Sequence, residues 1–258
     1  MQNRRTTILA LALIVALAAL AGYWQAHRDP AAVGGGAVAG EQTTRGTDPS
    51  QAEIKENNGL YTVDVVYPEF ASSGDVNAYI RDLLLVEIEE FKKSATSVAA
   101  SDENQGKSAF KVTYQLATAN EKMLSVIFEH SEYLTGAAHQ NSFVTTVNYD
   151  LAANRLLELA DLFLPDADYL TTLSVLAAED LKQKLSGSDG YAPEFVNAGT
   201  APKTENYQSF SLAPTGITLY FDPYQVAAYS AGPQEVFISY EALTGILDPD
   251  GPANQVRQ

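Results

Sequence analysis

The chain has 258 residues, 46% apolar and 10% aromatic, enough to bury a sizeable core in one medium domain or two small ones. Its formal charge of −16, from 32 acidic and 16 basic side chains, repels phosphate backbones, so nucleic acid is excluded as a partner and a cationic one is favoured. There is no cysteine, which excludes disulfides, thiolate metal sites, a cysteine nucleophile and lipid attachment through an N-terminal cysteine.

Arg4 and Arg5 precede an uncharged apolar run from Ile8 to Trp24. This segment reads either as a cleavable signal peptide, with Ala19-Leu20-Ala21 as a small-x-small site, or as a membrane anchor with Tyr23 and Trp24 at the interface. Both readings place the rest of the chain outside the cytoplasm, in the periplasm or on the outer face of the cytoplasmic membrane. Membrane contact follows only if the segment stays uncleaved. Residues 25–53, with Gly34-Gly35-Gly36 and few groups that could pack, read as a flexible linker.

Asn57-Asn58-Gly59 is a hairpin turn signal, and the Val- and Tyr-rich stretch Leu60 to Tyr67 reads as a strand. Ser72, Ser73 and Asp75 offer cap chemistry for a helix reaching about Ser94. Val76, Ile80, Leu83, Leu84, Ile88 and Phe91 fall on one face of it. Strands Phe110 to Ala117 and Met123 to Tyr133 follow, then a loop from Thr135 to Asn141 and a strand from Phe143 to Leu151. A second helix, capped by Asp166 or Asp168, carries the stripe Leu170, Leu173, Leu176, Ala177 and Leu181. Ser186 to Ala201 reads as a loop. Strands Ser209 to Leu212 and Ile217 to Phe221 flank a Pro214-Thr215-Gly216 turn. A last strand, Val236 to Tyr240, leads to a short helix, Glu241 to Leu247, and a frayed tail. The expected fold is α+β, with mainly antiparallel sheet(s) and one helix packed on each half. The expected division is a smaller subdomain at 54–134, a second at 135–248 and a tail at 249–258. Pattern alone does not say whether the halves share a sheet.

No serine stands in a nucleophile elbow and no phosphate loop is present. His130 shares a strand face with Leu124, Val126 and Phe128, which suits a core-edge histidine. His130, His139 and Glu129 or Glu132 have the donor chemistry for zinc, but their spacing matches no ligand motif, so no metal and no cofactor is expected. Glu89-Glu90 reads as a solvated helix face, and Glu158 with Asp161 as the brace of a turn. A non-enzymatic protein is expected, with a cell-wall glycan hydrolase or deacetylase as the alternative.

The candidate ligand-binding residues are Tyr220, Asp222, Tyr224 and Tyr229, with His139 from the small-residue loop. Asp222-Pro223 breaks the strand and presents Tyr224 outward. The cluster is either an aromatic surface for sugar rings or a protein loop, or a structural corner whose hydroxyls satisfy backbone groups.

Three segments carry a resemblance: Gly136-Ala137-Ala138-His139, Glu158-Leu159-Ala160-Asp161-Leu162-Phe163, and the aromatic run from Leu219 to Gly232. Together they resemble a domain of unknown function found outside the membrane in the anti-sigma factor RsiV and beside the deacetylase module of PdaC. Ile54 to Tyr133 resembles the smaller domain that precedes it. Ala137, Gln140 and Ala228 depart from the pattern, where glycine, proline and proline are usual. The resemblance implies an extracytoplasmic ligand-binding or sensing domain, which in RsiV recognises lysozyme. The partners it implies are a basic protein of that kind or a cell-wall glycan. The short stretch before Ile8 leaves no room for a sigma-binding segment, and no deacetylase domain is expected.

Overall fold

The computed structural model describes residues 49–71, 73–100, 106–188 and 191–257, so the apolar segment and most of the linker lie outside the described residues. The first sheet has six strands in the order β1 to β6: Ser50–Asn57, Tyr61–Glu69, Ser108–Ala119, Met123–Tyr133, Asn141–Asp150 and Arg155–Leu156. All neighbours are antiparallel except β2 and β3, which run parallel. A parallel pair needs a crossover, and helix α1, Gly74–Ala99, supplies it. The second sheet has three antiparallel strands, β7 to β9: Phe210–Ala213, Gly216–Phe221 and Gln234–Ser239. Helix α2, Tyr169–Leu185, packs in that half, capped by Asp168, whose carboxylate accepts from the Thr171 amide.

The α+β expectation, mainly antiparallel with one main helix to each half, is what the structure has, and the halves hold separate sheets. Beneath α1, Val76, Ile80, Leu83, Leu84, Ile88 and Phe91 are all buried against β2 to β5. Each contributes about 1.5–3 kcal/mol by leaving water. The second core gathers α2, the three-stranded sheet and Leu157 onward.

Several local expectations are corrected. The end of the linker belongs to β1, a largely exposed edge strand without an apolar run to announce it. The loop after α2 contains a short helix, α3, Pro193–Gly199, opened by proline at its first turn. Glu241 to Ile246 forms successive turns instead of a helix, and Leu247 bridges to Phe163. The tail is tied down by a short helix, α4, Ala253–Val256, whose Ala253 and Val256 are buried in the second core. The boundary expected between Leu134 and Thr135 lies between β4 and β5, which are hydrogen-bonded neighbours. Val147 and Tyr149 of β5 lie in the first core, and the second begins at Leu157 apart from Met123.

The two sheets meet through side chains on the face of the large sheet opposite α1. Ser125 Oγ accepts from the Leu212 amide at 2.9 Å and donates to Asn148 Oδ1 at 2.7 Å. Asn148 Nδ2 donates to the Phe210 carbonyl at 2.7 Å, and Thr118 Oγ1 donates to the Leu212 carbonyl at 2.6 Å. Thr146 Oγ1 accepts from the Phe210 amide at 3.1 Å. The outward edge of β7 is thus satisfied by side chains of another sheet. Asn148→Leu would leave the Phe210 carbonyl without its donor and the Ser125 hydroxyl proton without its acceptor in a buried site. Its expected cost is about 2–4 kcal/mol, read from urea unfolding midpoints. Thr113→Val, on the exposed part of the same face, is expected to stay within about 0.5 kcal/mol.

Candidate ligand-binding surface

Four of the five site residues expected from the sequence lie on two chain segments that the docked sheets bring together, and the fifth, Tyr220, lies within β8. The first segment is the loop between β4 and β5. It begins with a tight turn in which the Ala137 amide donates to the Leu134 carbonyl at 2.9 Å, with Gly136 at φ 78°. That left-handed conformation is the reason for glycine there. Buried Thr135 roots the turn, its amide donating to Ser108 Oγ and its hydroxyl to the Gly106 carbonyl. His139 follows on the exposed side.

The second segment leaves β8 at Phe221. The Gln225 amide donates to the Asp222 carbonyl at 3.0 Å, closing a turn with Pro223 and Tyr224 at its centre. Proline followed by a positive φ is the signature of a type II turn. Tyr224, at φ 71°, occupies the position that normally falls to glycine or asparagine. A tyrosine there carries backbone strain of about 1 kcal/mol or more. The residue is 57% exposed.

Gln225 holds this turn from behind. Its Oε1 accepts from the Asp222 amide, and its Nε2 donates to the Gly199 and Asn206 carbonyls. A Cβ on Gly199 would stand 2.1 Å from the Gln225 carbonyl oxygen, so the end of α3 presses directly on the turn. Neither Gln225 nor Gly199 was among the expected site residues. The glutamine inside the aromatic run was the available signal.

The rings converge. His139 stacks on Tyr229 with centroids 3.7 Å apart and planes 24° from parallel, and Tyr229 lies 5.6 Å from Tyr224 at a tilt of 36°. The Tyr229 hydroxyl donates to the Gln140 carbonyl, fastening the histidine loop to the second half. Asp222 Oδ1 accepts from the Val144 amide at 3.5 Å, and Ser209 Oγ, just before β7, donates to the Val144 carbonyl, so the tyrosine turn and the start of β7 both bond to β5. Asp222 keeps an exposed face, yet the crowding around its carboxyl raises its pKa to about 6, against the pull of the Val144 amide. Tyr220 stands apart: its hydroxyl shares a 3.0 Å hydrogen bond with Ser211 Oγ, and Glu235 and Glu129 act on it from nearby.

The cluster therefore divides by role. Tyr229 makes the backbone contact of a structural corner, Tyr220 braces the small sheet, and Tyr224 with His139 offers exposed ring surface. Chemically this is a stacking platform beside a carboxyl group. Of the zinc donors weighed above, Glu129 lies on the sheet face opposite His130, bonded to Thr113 and Gln115. Among the described residues no group of three histidine or carboxylate side chains could hold a metal ion. Glu158 and Asp161 do brace a turn, with Asp161 accepting from the Glu158 amide and from Arg155.

Residues 54–142 match the family described as Deacetylase PdaC, and residues 160–241 match the family described as Protein of unknown function (DUF3298). The peptidoglycan-N-acetylmuramic acid deacetylase PdaC of Bacillus subtilis is 30% identical over 198 residues, which are 76% of this chain and 41% of that protein. The chain thus spans about two fifths of the length of that relative. Immunogenic protein MPT64 of Mycobacterium tuberculosis is 24% identical over 208 residues, covering 79% of this chain and 86% of that protein. The fold is shared with a DUF3298 structure from Bacteroides fragilis, at a TM-score of 0.57 and 20% identity over 81% of this chain and 96% of that one. A DUF3298 structure from Pseudomonas aeruginosa matches at a TM-score of 0.55 and 18% identity, over 79% and 97% of the two chains. The chain is therefore similar over residues 160–241 to DUF3298, a family whose function is unknown, behind a region that matches the PdaC family.

Proposed function

We propose that the chain is a non-enzymatic, extracytoplasmic ligand-binding protein of the bacterial cell envelope, and that its ligand is the glycan of peptidoglycan, taken on the exposed ring of Tyr224. The observation that carries this reading is the strain at that residue. A type II turn would be more comfortable with glycine, and the side chain of this exposed residue belongs to neither core. An exposed aromatic held at a backbone cost is held for what it touches. Tyr229 and His139 support it from one side, and the Asp222 carboxyl stands two residues away to accept hydroxyl or amide protons. The likeness to about two fifths of a peptidoglycan deacetylase supports a wall ligand without carrying over that enzyme's activity.

A basic protein of the lysozyme type is the second reading, favoured by the net charge of −16. It differs in its salt dependence, because a charge-driven complex weakens between low and physiological ionic strength whereas ring stacking on a neutral sugar does not.

The test is titration calorimetry of the full chain in mild detergent with solubilised peptidoglycan fragments and with lysozyme. Saturable, salt-tolerant binding of fragments is expected, and Tyr224→Gly should abolish it. His139→Ala should weaken it with little change in melting temperature. Binding of lysozyme alone, lost at physiological salt, selects the second reading. Turnover of the fragments would replace both with the hydrolase or deacetylase alternative. Because glycine relieves the positive φ, Tyr224→Gly is also expected to raise stability by about 0.5–1 kcal/mol in urea unfolding. A loss of that size would instead show the ring to be structural.

A further inference from the structure

The stripe that α1 buries is apolar except at one position. Glu87, one turn after Leu83, is 3% exposed and lies in the middle of the face pressed against the sheet. Opposite it stands His130 of β4, 2% exposed, with its Nδ1 3.4 Å from Glu87 Oε2. The imidazole is held flat against Phe143, with ring centroids 4.4 Å apart and planes 5° from parallel, and Phe110 closes it from another side at 6.2 Å. Its Nε2 is 2.7 Å from Thr145 Oγ1 on β5. Among the described residues, neither oxygen of Glu87 and not Nδ1 of His130 has a hydrogen-bond partner, and the two groups face each other at 3.4 Å.

A carboxylate and an imidazolium can each be buried only at a cost of several kcal/mol, and no group around them offsets it. From α1, Tyr79 faces Glu87 two turns earlier. From β4, Glu132 is on the same sheet face as His130 and is half-buried. β2, β3 and β5 add Val63, Val65, Phe110, Val112, Phe143 and Thr145, none of them charged. The lysine further along the helix, Lys92, is already held by Glu56 and Glu89.

We propose that Glu87 and His130 hold one proton between them, as a carboxylic acid donating to Nδ1 of a neutral imidazole whose Nε2–H donates to Thr145, and that this proton pins α1 to the sheet. Charging either partner releases the pin, so the PdaC-type half is a pH-sensitive unit independent of the aromatic surface. Burial raises the Glu87 pKa from 4.5 to about 8 and lowers that of His130 from 6.5 to about 3, in keeping with an uncharged pair. The raised acid contributes stability that is fully present below pH 4.5 and lost as pH rises through about 8. The depressed base contributes stability present above pH 6.5 and lost as pH falls through about 3. The two opposing slopes cancel in the window between, leaving a plateau flanked by two declines.

The full chain and Glu87→Gln are to be unfolded in urea across this pH range. The glutamine amide still donates to Nδ1 but does not titrate. The parent is expected to lose midpoint from neutral to alkaline pH while Glu87→Gln does not, so that the curves cross. Parallel curves overturn the proposal. Carbon NMR of the Glu87 carboxyl, assigned by its absence from the variant, supplies a readout that a merely structural role would not move. A protonated carboxyl near pH 6 that titrates at alkaline pH is the expected result. A carboxylate at pH 6 facing an imidazolium overturns it, whether or not the variant folds.

Discussion

The arrangement of the whole molecule depends on how one strand edge is satisfied. A strand at the rim of a sheet presents amides and carbonyls that must find partners or meet water. In β7 those groups are buried, and the partners come from Thr118, Thr146, Asn148 and Ser125, short polar side chains on the face of another sheet. Hydrogen bonds have direction where apolar contact does not. Fixing both the amide and the carbonyl of Phe210 and of Leu212 therefore sets the position of the small sheet along and across the large one. An apolar interface of the same area would hold the halves together but would tolerate sliding.

The aromatic surface inherits that precision. The histidine loop hangs from β4 and β5, and the tyrosine turn from β8, so the stack of His139 on Tyr229 exists only because the two sheets are in register. Two further fastenings refine it: the Tyr229 hydroxyl on the Gln140 carbonyl, and Gln225 with the close approach at Gly199 behind the turn. Support from both sides lets a tyrosine remain in a backbone conformation that favours glycine. Strain of this kind persists only where the surroundings over-determine it.

Much of the fold was legible because its periodicities are clean. The stripe of α1 states which face is buried. What was missed shares a physical cause: elements whose apolar content is low and whose placement comes from the rest of the fold. β1 is mostly exposed, α3 is a single short piece opened by proline, and α4 is held by the burial of Ala253 and Val256 at long range. Glu87 was legible in principle, since a charged residue at helical spacing from Leu83 falls inside the stripe, but nothing local says that His130 waits opposite. The candidate site residues were nameable from the aromatic run and the glycine loop. Their separate roles were not, because the division between Tyr229 and Tyr224 depends on which hydroxyl meets a carbonyl from the other half.

The contact of Tyr229 with Gln140 spans 89 residues of sequence. Contacts of that range wait for loop closure, and local elements form first. During synthesis the histidine loop precedes its partner, and until Tyr229 has arrived and β7 has docked, His139 has no ring to lie against. The surface is therefore absent from every partly folded or truncated chain, however well its first sheet is formed. Recognition through it would act as a certificate of completed folding, offered only by molecules whose two halves have joined.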